Sequence, residues 1–336
     1  MGFKRLDAED FVVSADAIQS VAWSTNSATL TNFFTSSVQE AGTSGNYYIS
    51  VYQTSSALAE AQIQFDVAYG NKLGSGSAYF NSSVPRLTPA TSIYGQFRSL
   101  VLEDENTNFT YGNGTNTFSP DDFWAISVDR ARYKEKLFPN TFNFQLSGSG
   151  GMVHLTADVN NETTATFLGS NRVYQVISGS NGSPVGTTGF VANSGSYGLF
   201  LPDIGTILLN PDALNEFPVI TSNKTANLAN GTNQKTLVNA IIDGGSFQLN
   251  AQETITSDYV FVSARNSEFN YSTNPSFISG STGEIIHNSF INNPQVYATT
   301  VGMYNDANEL VAVAKLSRPL LKDFTKESLI RVKLDF

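Results

Sequence analysis

Two histidines are the residues of this chain whose ordinary pKa suits proton transfer near neutral pH. His154 lies in the segment MVHLTADV and His287 in GEIIHNSF, and neither belongs to an HExxH or HxH arrangement. The chain has no cysteine, which excludes thiolate metal sites, and neither histidine has the further ligands of a zinc site at a recognisable spacing. Both segments have the alternation of strands, and we therefore interpret the two histidines as solvent-facing or structural residues.

Motifs for nucleophilic or phosphate chemistry are missing from the sequence. There is no GxSxG nucleophile elbow, and no Walker A or GxGxxG motif opens a helix. Paired carboxylates occur in LEDEN and SPDDF, but consecutive acids alternate between strand faces and commonly mark a solvated turn or a helix start. The acidic run YNDANE lacks the glycine and distal glutamate of a calcium loop. We predict no enzyme activity, no cofactor, and no catalytic, cofactor-binding or metal-ligating residues.

The composition narrows the class of protein and of partner. The 336 residues include 14% charged and 12% aromatic residues with 26 glycines, which indicates a β-rich protein with many turns. A net charge of −10 without a basic stripe argues against nucleic acid as a partner. No apolar run approaches the roughly 18 residues of a membrane span, and the start lacks the apolar stretch of a secretory signal. We expect a protein made in a cytoplasm, without a membrane partner.

The elements that would carry any site are mostly strands. NYYISVYQ, AQIQFDVAYG and SIYGQFRSLVL alternate apolar and polar residues, which predicts a half-buried antiparallel sheet. NRVYQVIS and YGLFLPDIGTILLN add further strands, and NPDALNEF predicts a short helix. SPDDFWAISVDRARYKEKLFP has two interpretations: a helix capped by Ser119 with Pro120 in its first turn, or a strand FWAISV followed by a turn.

Two hairpins and a closing strand are predicted toward the end of the sequence. NAIIDGGSFQLNA would turn over Asp243 and Gly244, and YATTVGMYNDANELVAVAKL over Asn305 to Asn308. From Leu329 onward the sequence alternates strictly, which predicts a strand with one buried face. The predicted inward residues are Ile330, Val332, Leu334 and Phe336, and the outward ones are Arg331, Lys333 and Asp335.

The polar segment ARNSEFNYSTNPSF is predicted to be a structured loop. The spacing of Asn266, Asn270 and Asn274 suits repeated Asx turns, and Phe269 and Phe277 would anchor the loop. Loops carry contacts when a rigid sheet positions them, so this loop is a candidate for a subunit contact. The glycine-rich segment 148–235 is a second candidate.

The fold class that follows is mainly β, with antiparallel β-sandwich-like domains, short helices and a loop-rich middle segment. The predicted domains are an N-terminal β-rich domain at 1–147, a loop-rich β segment at 148–235, and a C-terminal β domain at 236–336.

Several segments resemble virion structural proteins of contractile-tailed phages of the T4-like marine and cyanobacterial group. They are DFWAISVDRARYKEKLFP, YGLFLPDIGTILLN, FVSARNSEFNYSTNPSF and the block from NNPQVYATTVG to the last residue. The ending is also similar to wedge-type baseplate proteins, which close on a strand after a basic residue and a proline, here Arg318 and Pro319.

The resemblance implies a structural subunit of the virion, assembled in the host cytoplasm and located in the tail baseplate. Its partners would be other tail or baseplate proteins and repeated copies of itself, and no catalytic residue is implied. The alternatives are a neck or tail-terminus component, a carbohydrate- or receptor-binding module of a tail fibre and, third, an enzyme such as a virion glycan hydrolase. Aromatic runs such as NYYISVY would stack on sugars in a fibre module, or pack in a core or interface.

Overall fold

The computed structural model describes residues 4–36, 47–112, 117–159, 166–184, 196–216, 220–224, 228 and 231–335. The chain forms two compact units. The terminal unit contains residues 1–17 and 254–336, and the central unit contains residues 18–253. Each unit is described by itself below.

The described residues are mainly β, as predicted, and antiparallel strand pairs occur in both units. In chain order the strands are β1 (Phe11–Val21), β2 (Thr29–Leu30), β3 (Phe34–Thr35), β4 (Tyr48–Tyr52), β5 (Ile63–Asn71), β6 (Asp122–Val128), β7 (Lys136–Gly148), β8 (Gly151–Ala157), β9 (Thr166–Leu168), β10 (Asn171–Ser180), β11 (Ser183–Pro184), β12 (Gly198–Leu201), β13 (Thr206–Leu209), β14 (Ser246–Ala264), β15 (Val296–Tyr304), β16 (Leu310–Lys322) and β17 (Ser328–Asp335). The α-helices are α1 (Pro89–Leu102), α2 (Pro211–Glu216), α3 (Thr232–Ile242) and α4 (Asn288–Asn292), and short 3-10 turns cover Ala8–Asp10, Arg130–Arg132 and Pro202–Ile204.

The central unit is a curled antiparallel sheet. Its strand order is β14, β7, β8, β10, β12, β13, β6, β5, β4, β3, with β2 beside β14 and with β9 and β11 beside β10. Strands far apart in this order meet across the interior: the rings of Phe65 and Phe247 lie 5.5 Å apart, and those of Phe142 and Phe200 lie 4.8 Å apart. Helix α3 adds Leu237 and other apolar side chains to the same interior, so the sheet wraps around a core that the helix helps to fill.

Helix α1 covers the outer face of the middle strands, where a strand was predicted from SIYGQFRSLVL. That prediction was wrong. The apolar residues Ile93, Phe97 and Val101 recur every four positions and are buried together against strands that include β6. The start signals of a helix were also present, because Thr88 accepts a hydrogen bond from the Thr91 N–H and Pro89 occupies the first turn. Strand β6 is consequently buried on both faces.

For two further segments the structure can be compared with the sequence-based interpretations. DFWAISV is strand β6 and is followed by a 3-10 turn, which is the second of the two predicted alternatives. The hairpin predicted at Asp243 and Gly244 is wrong, because α3 precedes this turn and β14 follows it. Gly244 has φ +116°, and a Cβ at Gly245 would lie 2.4 Å from the Ile241 carbonyl oxygen, so the glycine pair ends the helix.

Other predictions are confirmed in the central unit, and the domain division is left open. NPDALNEF forms α2, and YGLFLPDIGTILLN forms β12, a 3-10 turn and β13. Strands β8, β10, β12 and β13 of the segment predicted to be loop-rich lie in the middle of the sheet. The division into 1–147, 148–235 and 236–336 stays a prediction; its first boundary falls at the end of β7 and its second within α3.

The terminal unit contains the predicted closing strand. β17 pairs with β14 from Ser257↔Asp335 to Ala264↔Ser328, and β1 is also a neighbour of β14. The alternation is confirmed: Val332 is buried opposite Val260, whereas Lys333 is exposed. Ile330 and Leu334 are half-buried, Arg331 and Asp335 are exposed, and Phe336 lies outside the described residues.

The predicted hairpin over Asn305 to Asn308 is confirmed as a separate two-stranded sheet of β15 and β16. Asn308 takes φ +60° in its turn, a conformation that asparagine tolerates better than most residues. None of the helices among the described residues is long and apolar enough to cross a membrane.

Candidate functional site

The two histidines are solvent-facing, as the sequence predicts. His154 is exposed on β8 in the central unit, and His287 is exposed just before α4 in the terminal unit, with its ring 6.5 Å from that of Phe277. Across the described part of the chain, no three residues of the metal-binding types are grouped so that they could hold an ion.

The paired acids of SPDDF separate in the structure. Asp121 is exposed, but Asp122 begins β6 with its side chain fully buried, so the interpretation as a solvated pair is wrong for Asp122. Its carboxylate accepts hydrogen bonds from the hydroxyls of Tyr69 at 3.0 Å and Ser222 at 2.8 Å. The Lys224 ammonium lies 2.9 Å away. Burial raises the pKa of Asp122 despite these partners.

The Asp122 group is a network of hydrogen bonds and ion pairs that reaches from the interior to the surface. Lys224, whose side chain is 43% exposed, also lies 2.9 Å from Asp212 of α2. Burial lowers the pKa of Lys224, but its contacts with Asp212 and Asp122 outweigh that effect and raise it. Among the described residues the network joins β5, β6, α2 and the segment 220–224, and we interpret its role as structural.

A cleft of about 290 Å³ lies on the central unit, over one face of α1. We call it the cationic cleft, because three cationic side chains and a single carboxylate line it. The lining residues are Lys72, Arg86, Thr91, Tyr94, Gly95, Arg98, Glu105 and Asn106. The concentration of positive charge contrasts with the net charge of −10 of the whole chain.

The end of β5 positions Lys72. The side-chain oxygen of Asn71 accepts hydrogen bonds from the backbone N–H groups of Leu73 and Gly74, both at 2.9 Å, and of Ser75 at 3.2 Å. The Lys72 N–H donates to the Asp121 carbonyl at 2.7 Å. These bonds fix the backbone on both sides of Lys72, so only its side chain is free to adjust.

Arg86 belongs to a loop that is closed onto the same turn. Its N–H donates to the Leu73 carbonyl at 3.1 Å, and the Thr88 hydroxyl donates to the Gly74 carbonyl at 3.0 Å. Arg86 has φ +77°, a left-handed conformation that costs a residue with a side chain on the order of 1–3 kcal/mol. Surrounding structure therefore holds Arg86 in a strained position at the rim of the cleft.

Helix α1 supplies the floor of the cleft. Thr91, Gly95 and Arg98 follow one another at three- and four-residue spacing and so lie on one helix face. A Cβ built on Gly95 would meet no atom within 4 Å. Glycine in a helix interior costs about 0.5–1 kcal/mol relative to alanine, and here its effect is to leave the floor of the cleft open.

The cations of the cleft form no ion pair with a carboxylate in the part of the chain that the structure describes. The ion pairs found among the described residues involve neither Lys72, Arg86 nor Arg98. The Arg98 guanidinium lies 5.8 Å from the centre of the Tyr94 ring, and its Nε is buried without a hydrogen-bond partner in the described structure. Hydrogen bonds from Thr107 and Asn106, with a smaller effect of Arg98, lower the pKa of the nearby Asp104.

A second surface lies on the terminal unit. We call β15 and β16 the apolar ribbon, because large apolar side chains protrude from it into solvent. Tyr297, Val311 and Val313 are 60%, 69% and 59% exposed. Within residues 296–304 and 310–322, Lys322 alone is buried.

The loop ARNSEFNYSTNPSF is structured around that buried lysine. Lys322 Nζ donates to the Asn266 carbonyl at 3.2 Å and to Asn270 Oδ1 at 2.8 Å. Asn274 Oδ1 accepts from the Ser276 N–H at 3.1 Å, which confirms an Asx turn there. No local sequence pattern links Lys322 to this loop, because it lies 52 residues beyond Asn270.

Of the two predicted anchors of this loop, one is confirmed. The Phe277 ring packs edge-on against Phe290 at 5.0 Å and Tyr271 at 6.0 Å. Phe269 is exposed with φ +57°, so it does not anchor the loop. The loop's role in a subunit contact stays a prediction, and so does that of segment 148–235, of which 160–165, 185–195, 217–219, 225–227 and 229–230 lie outside the described residues.

Comparison with known proteins gave no match: no family model, no curated protein and no solved structure matches this chain.

Proposed function

We propose that the chain is a structural subunit of a phage virion, in the tail baseplate, that acts through protein–protein contacts in repeated copies. The single observation that carries this proposal is the apolar ribbon. The resemblance of the sequence to contractile-tailed phage proteins supplies the kind of particle.

The ribbon has apolar side chains on both faces. Neighbouring residues of a strand point to opposite faces, so Val313, paired with Gly302, and Ala314, paired with Val301, lie on different faces. A two-stranded hairpin is marginally stable in water, and three strands or a packed face are needed for independent stability. The ribbon therefore has the surface of an element that is completed by a partner.

Strand β1 begins in the same unit, which holds its residues 11–17, and is a matching surface. The strand has 11 residues, of which Asp16 is the one charged residue, and β14 is the neighbour found for it among the described residues. Phe11 and Val13 are exposed. Edge strands of soluble proteins are usually protected by charges, proline or bulges, and an edge without them is suited to pairing with another strand.

The occupant that we propose for the ribbon is β1 of a neighbouring copy. Strand β1 has 11 residues, and we expect it to pair with the part of β16 before Pro319, because proline has no N–H to donate and the register of β16 with β15 is interrupted there. Such a contact joins two different surfaces of the chain, and repetition of it closes a ring or extends a filament. A baseplate built from repeated copies needs a contact of this kind.

Sedimentation of the full chain over a range of concentrations tests the contact. We expect the wild type to associate as concentration rises, and the double variant Val311→Lys, Val313→Lys to remain monomeric with an unchanged melting temperature. Phe167→Ser is the matched control, since Phe167 is an exposed apolar residue of β9 in the central unit and its loss should leave association intact. A wild type that is monomeric at every concentration would overturn the contact between copies.

The location in the virion is tested separately. Particles purified from an infected host culture should contain the chain in the tail, where a cryo-EM map of the particle would locate it in repeated copies. Absence of the chain from purified particles would overturn the proposal. So would turnover of a host polysaccharide or peptidoglycan that is abolished by one Asp or Glu substitution.

A further inference from the structure

We propose that the cationic cleft of the central unit binds a small phosphate-type anion: inorganic phosphate, a polyphosphate, or the phosphate group of a small molecule. This inference is independent of the apolar ribbon, which belongs to the other unit. It rests on the charges that line the cleft, on an unsatisfied buried donor, on a strained residue at the rim and on the open floor.

The charge balance of the cleft favours an anion. Lys72, Arg86 and Arg98 line the cleft with one carboxylate, Glu105, while Asp104 lies close enough for Arg98 to lower its pKa. None of the three cations forms an ion pair among the described residues. Like charges repel when they are brought together, and the repulsion is relieved by an anion between them. Arginine and lysine together supply fork-shaped and point-like donors that suit phosphate oxygens.

The hydrogen-bonding state of Arg98 points to a missing partner. Its Nε is buried without an acceptor in the described structure, although buried donors in native proteins are nearly always satisfied. The guanidinium also lies over the face of Tyr94, a ring that is almost completely buried, which restricts its motion. The contact with Tyr94 therefore positions the charge of the half-buried Arg98 side chain at the cleft.

The strain at Arg86 and the glycine at position 95 agree with a binding role. A left-handed conformation at a residue with a side chain destabilises the fold, and such conformations concentrate at ligand sites. Gly95 leaves open the part of the helix face between Thr91 and Arg98, where a long side chain such as leucine would occupy the cleft. The volume of about 290 Å³ is at the lower end of ligand cavities, so a small anion fits better than a large cofactor.

Isothermal titration calorimetry of the full chain tests the proposal. The probes are inorganic phosphate, pyrophosphate and glucose 6-phosphate, each at low and at physiological salt. We expect saturable binding of one anion per chain, tighter for pyrophosphate than for phosphate, because two phosphate groups engage more of the cations. Binding of glucose 6-phosphate but not of phosphate would identify a phosphate monoester as the ligand class.

Variants distinguish a built site from general attraction. Arg98→Gln is expected to weaken pyrophosphate binding by about tenfold, the equivalent of one charge-assisted hydrogen bond. Glu105→Gln should strengthen binding, because it removes the carboxylate that competes with the ligand. Gly95→Leu should abolish binding by filling the floor, whereas Gly95→Ala should bind and melt at least as high as the wild type.

The control for general electrostatics is Lys134→Gln, which removes an exposed lysine of the same unit, outside the cleft, that is paired with Glu253. It should leave the affinity unchanged. Three results would overturn the proposal: no saturable binding by the wild type at low salt, equal weakening by Lys134→Gln and Arg98→Gln, or unchanged binding by a folded Gly95→Leu variant.

Discussion

The Asp122 carboxylate, whose side chain is fully buried, lies 2.9 Å from the ammonium of Lys224, whose side chain is 43% exposed. One half of this ion pair is therefore held in the protein interior while the other remains in contact with water. Burial raises the pKa of Asp122, and the charge of Lys224 opposes that rise. Through this pair, the free energy of unfolding of the central unit is expected to depend on pH.

Lys224→Met is expected to destabilise the protein at neutral pH by about 1 to 3 kcal/mol, because the buried Asp122 carboxylate loses its ion-pair partner. Because the folded-state pKa of Asp122 exceeds its unfolded value, the native state binds more protons in that window. The free energy of unfolding therefore falls as pH rises from about 4 and levels off above the folded pKa. Removing Lys224 raises that pKa further and should widen the window toward neutral pH.

Urea unfolding between pH 4 and pH 7.5 would measure this effect. Asp122→Asn should remove this contribution to the pH dependence, and Lys134→Met, which breaks the surface pair with Glu253, should change stability by less than about 1 kcal/mol. Parallel stability curves for Lys224→Met and the wild type would contradict the assignment.

Two glycines near the cationic cleft should respond oppositely to alanine. Gly95→Ala should stabilise the protein by about 0.5–1 kcal/mol, because its Cβ meets open space and alanine favours a helix interior. Gly74→Ala should destabilise it, because Gly74 has φ +85° and its Cβ would lie 2.5 Å from the Thr88 hydroxyl oxygen. Thermal unfolding measures both, and equal melting temperatures for the two variants would be inconsistent with these geometries.

The closing strand offers a matched pair of adjacent positions. Val332→Ala should cost roughly 1 to 2.5 kcal/mol, since two methyl groups leave a buried site opposite Val260. Lys333→Ala should stay within about 0.5 kcal/mol, as expected for an exposed side chain. The measurement is chemical unfolding followed by a probe in the terminal unit. Similar losses at both positions would mean that β17 lacks a buried face.

Amide hydrogen-exchange rates should differ between the apolar ribbon and the core of the central unit. In the isolated chain we expect amides of β15 and β16 to exchange early, since little apolar contact protects their hydrogen bonds. Amides of β10 and β12, which pair through Val176↔Gly198 in the buried sheet, should exchange late. Mass spectrometry of peptic fragments gives both rates. Slow exchange of the ribbon in a monomeric chain would show that it is stable without a partner.

The sequence was sufficient for elements whose pattern is local. The alternation from Leu329 to Asp335 predicted β17, and the turn residues Asn305 to Asn308 predicted the β15–β16 hairpin. It misled at α1, where the aromatic and β-branched residues Ile93, Tyr94 and Phe97 favour strands locally. The four-residue spacing of Ile93, Phe97 and Val101 instead matches one face of a helix, and burial of that face in the tertiary structure outweighs the local strand preference.

The cationic cleft could not be predicted in the same way. Lys72 lies in the turn just after β5, Arg86 lies in a loop and Arg98 lies in a helix, so the tertiary fold alone brings them together. Had α1 been identified, Thr91, Gly95 and Arg98 would have been placed on one helix face. Nothing in the sequence indicates that Lys72 faces them. The buried position of Asp122 was hidden for a similar reason, since its partners Tyr69 and Lys224 are distant along the chain.

The weak internal support of the apolar ribbon would matter for the fidelity of the proposed assembly. When a partner orders such a segment, part of the contact energy is used to restrict the segment's conformations, so each individual contact is weaker than its area suggests. Weak contacts dissociate quickly, and a misplaced neighbour leaves before others hold it in place. In the proposed assembly the ribbon would therefore make early steps reversible and let errors be corrected, while the many contacts of a completed ring, acting together, would hold each copy firmly.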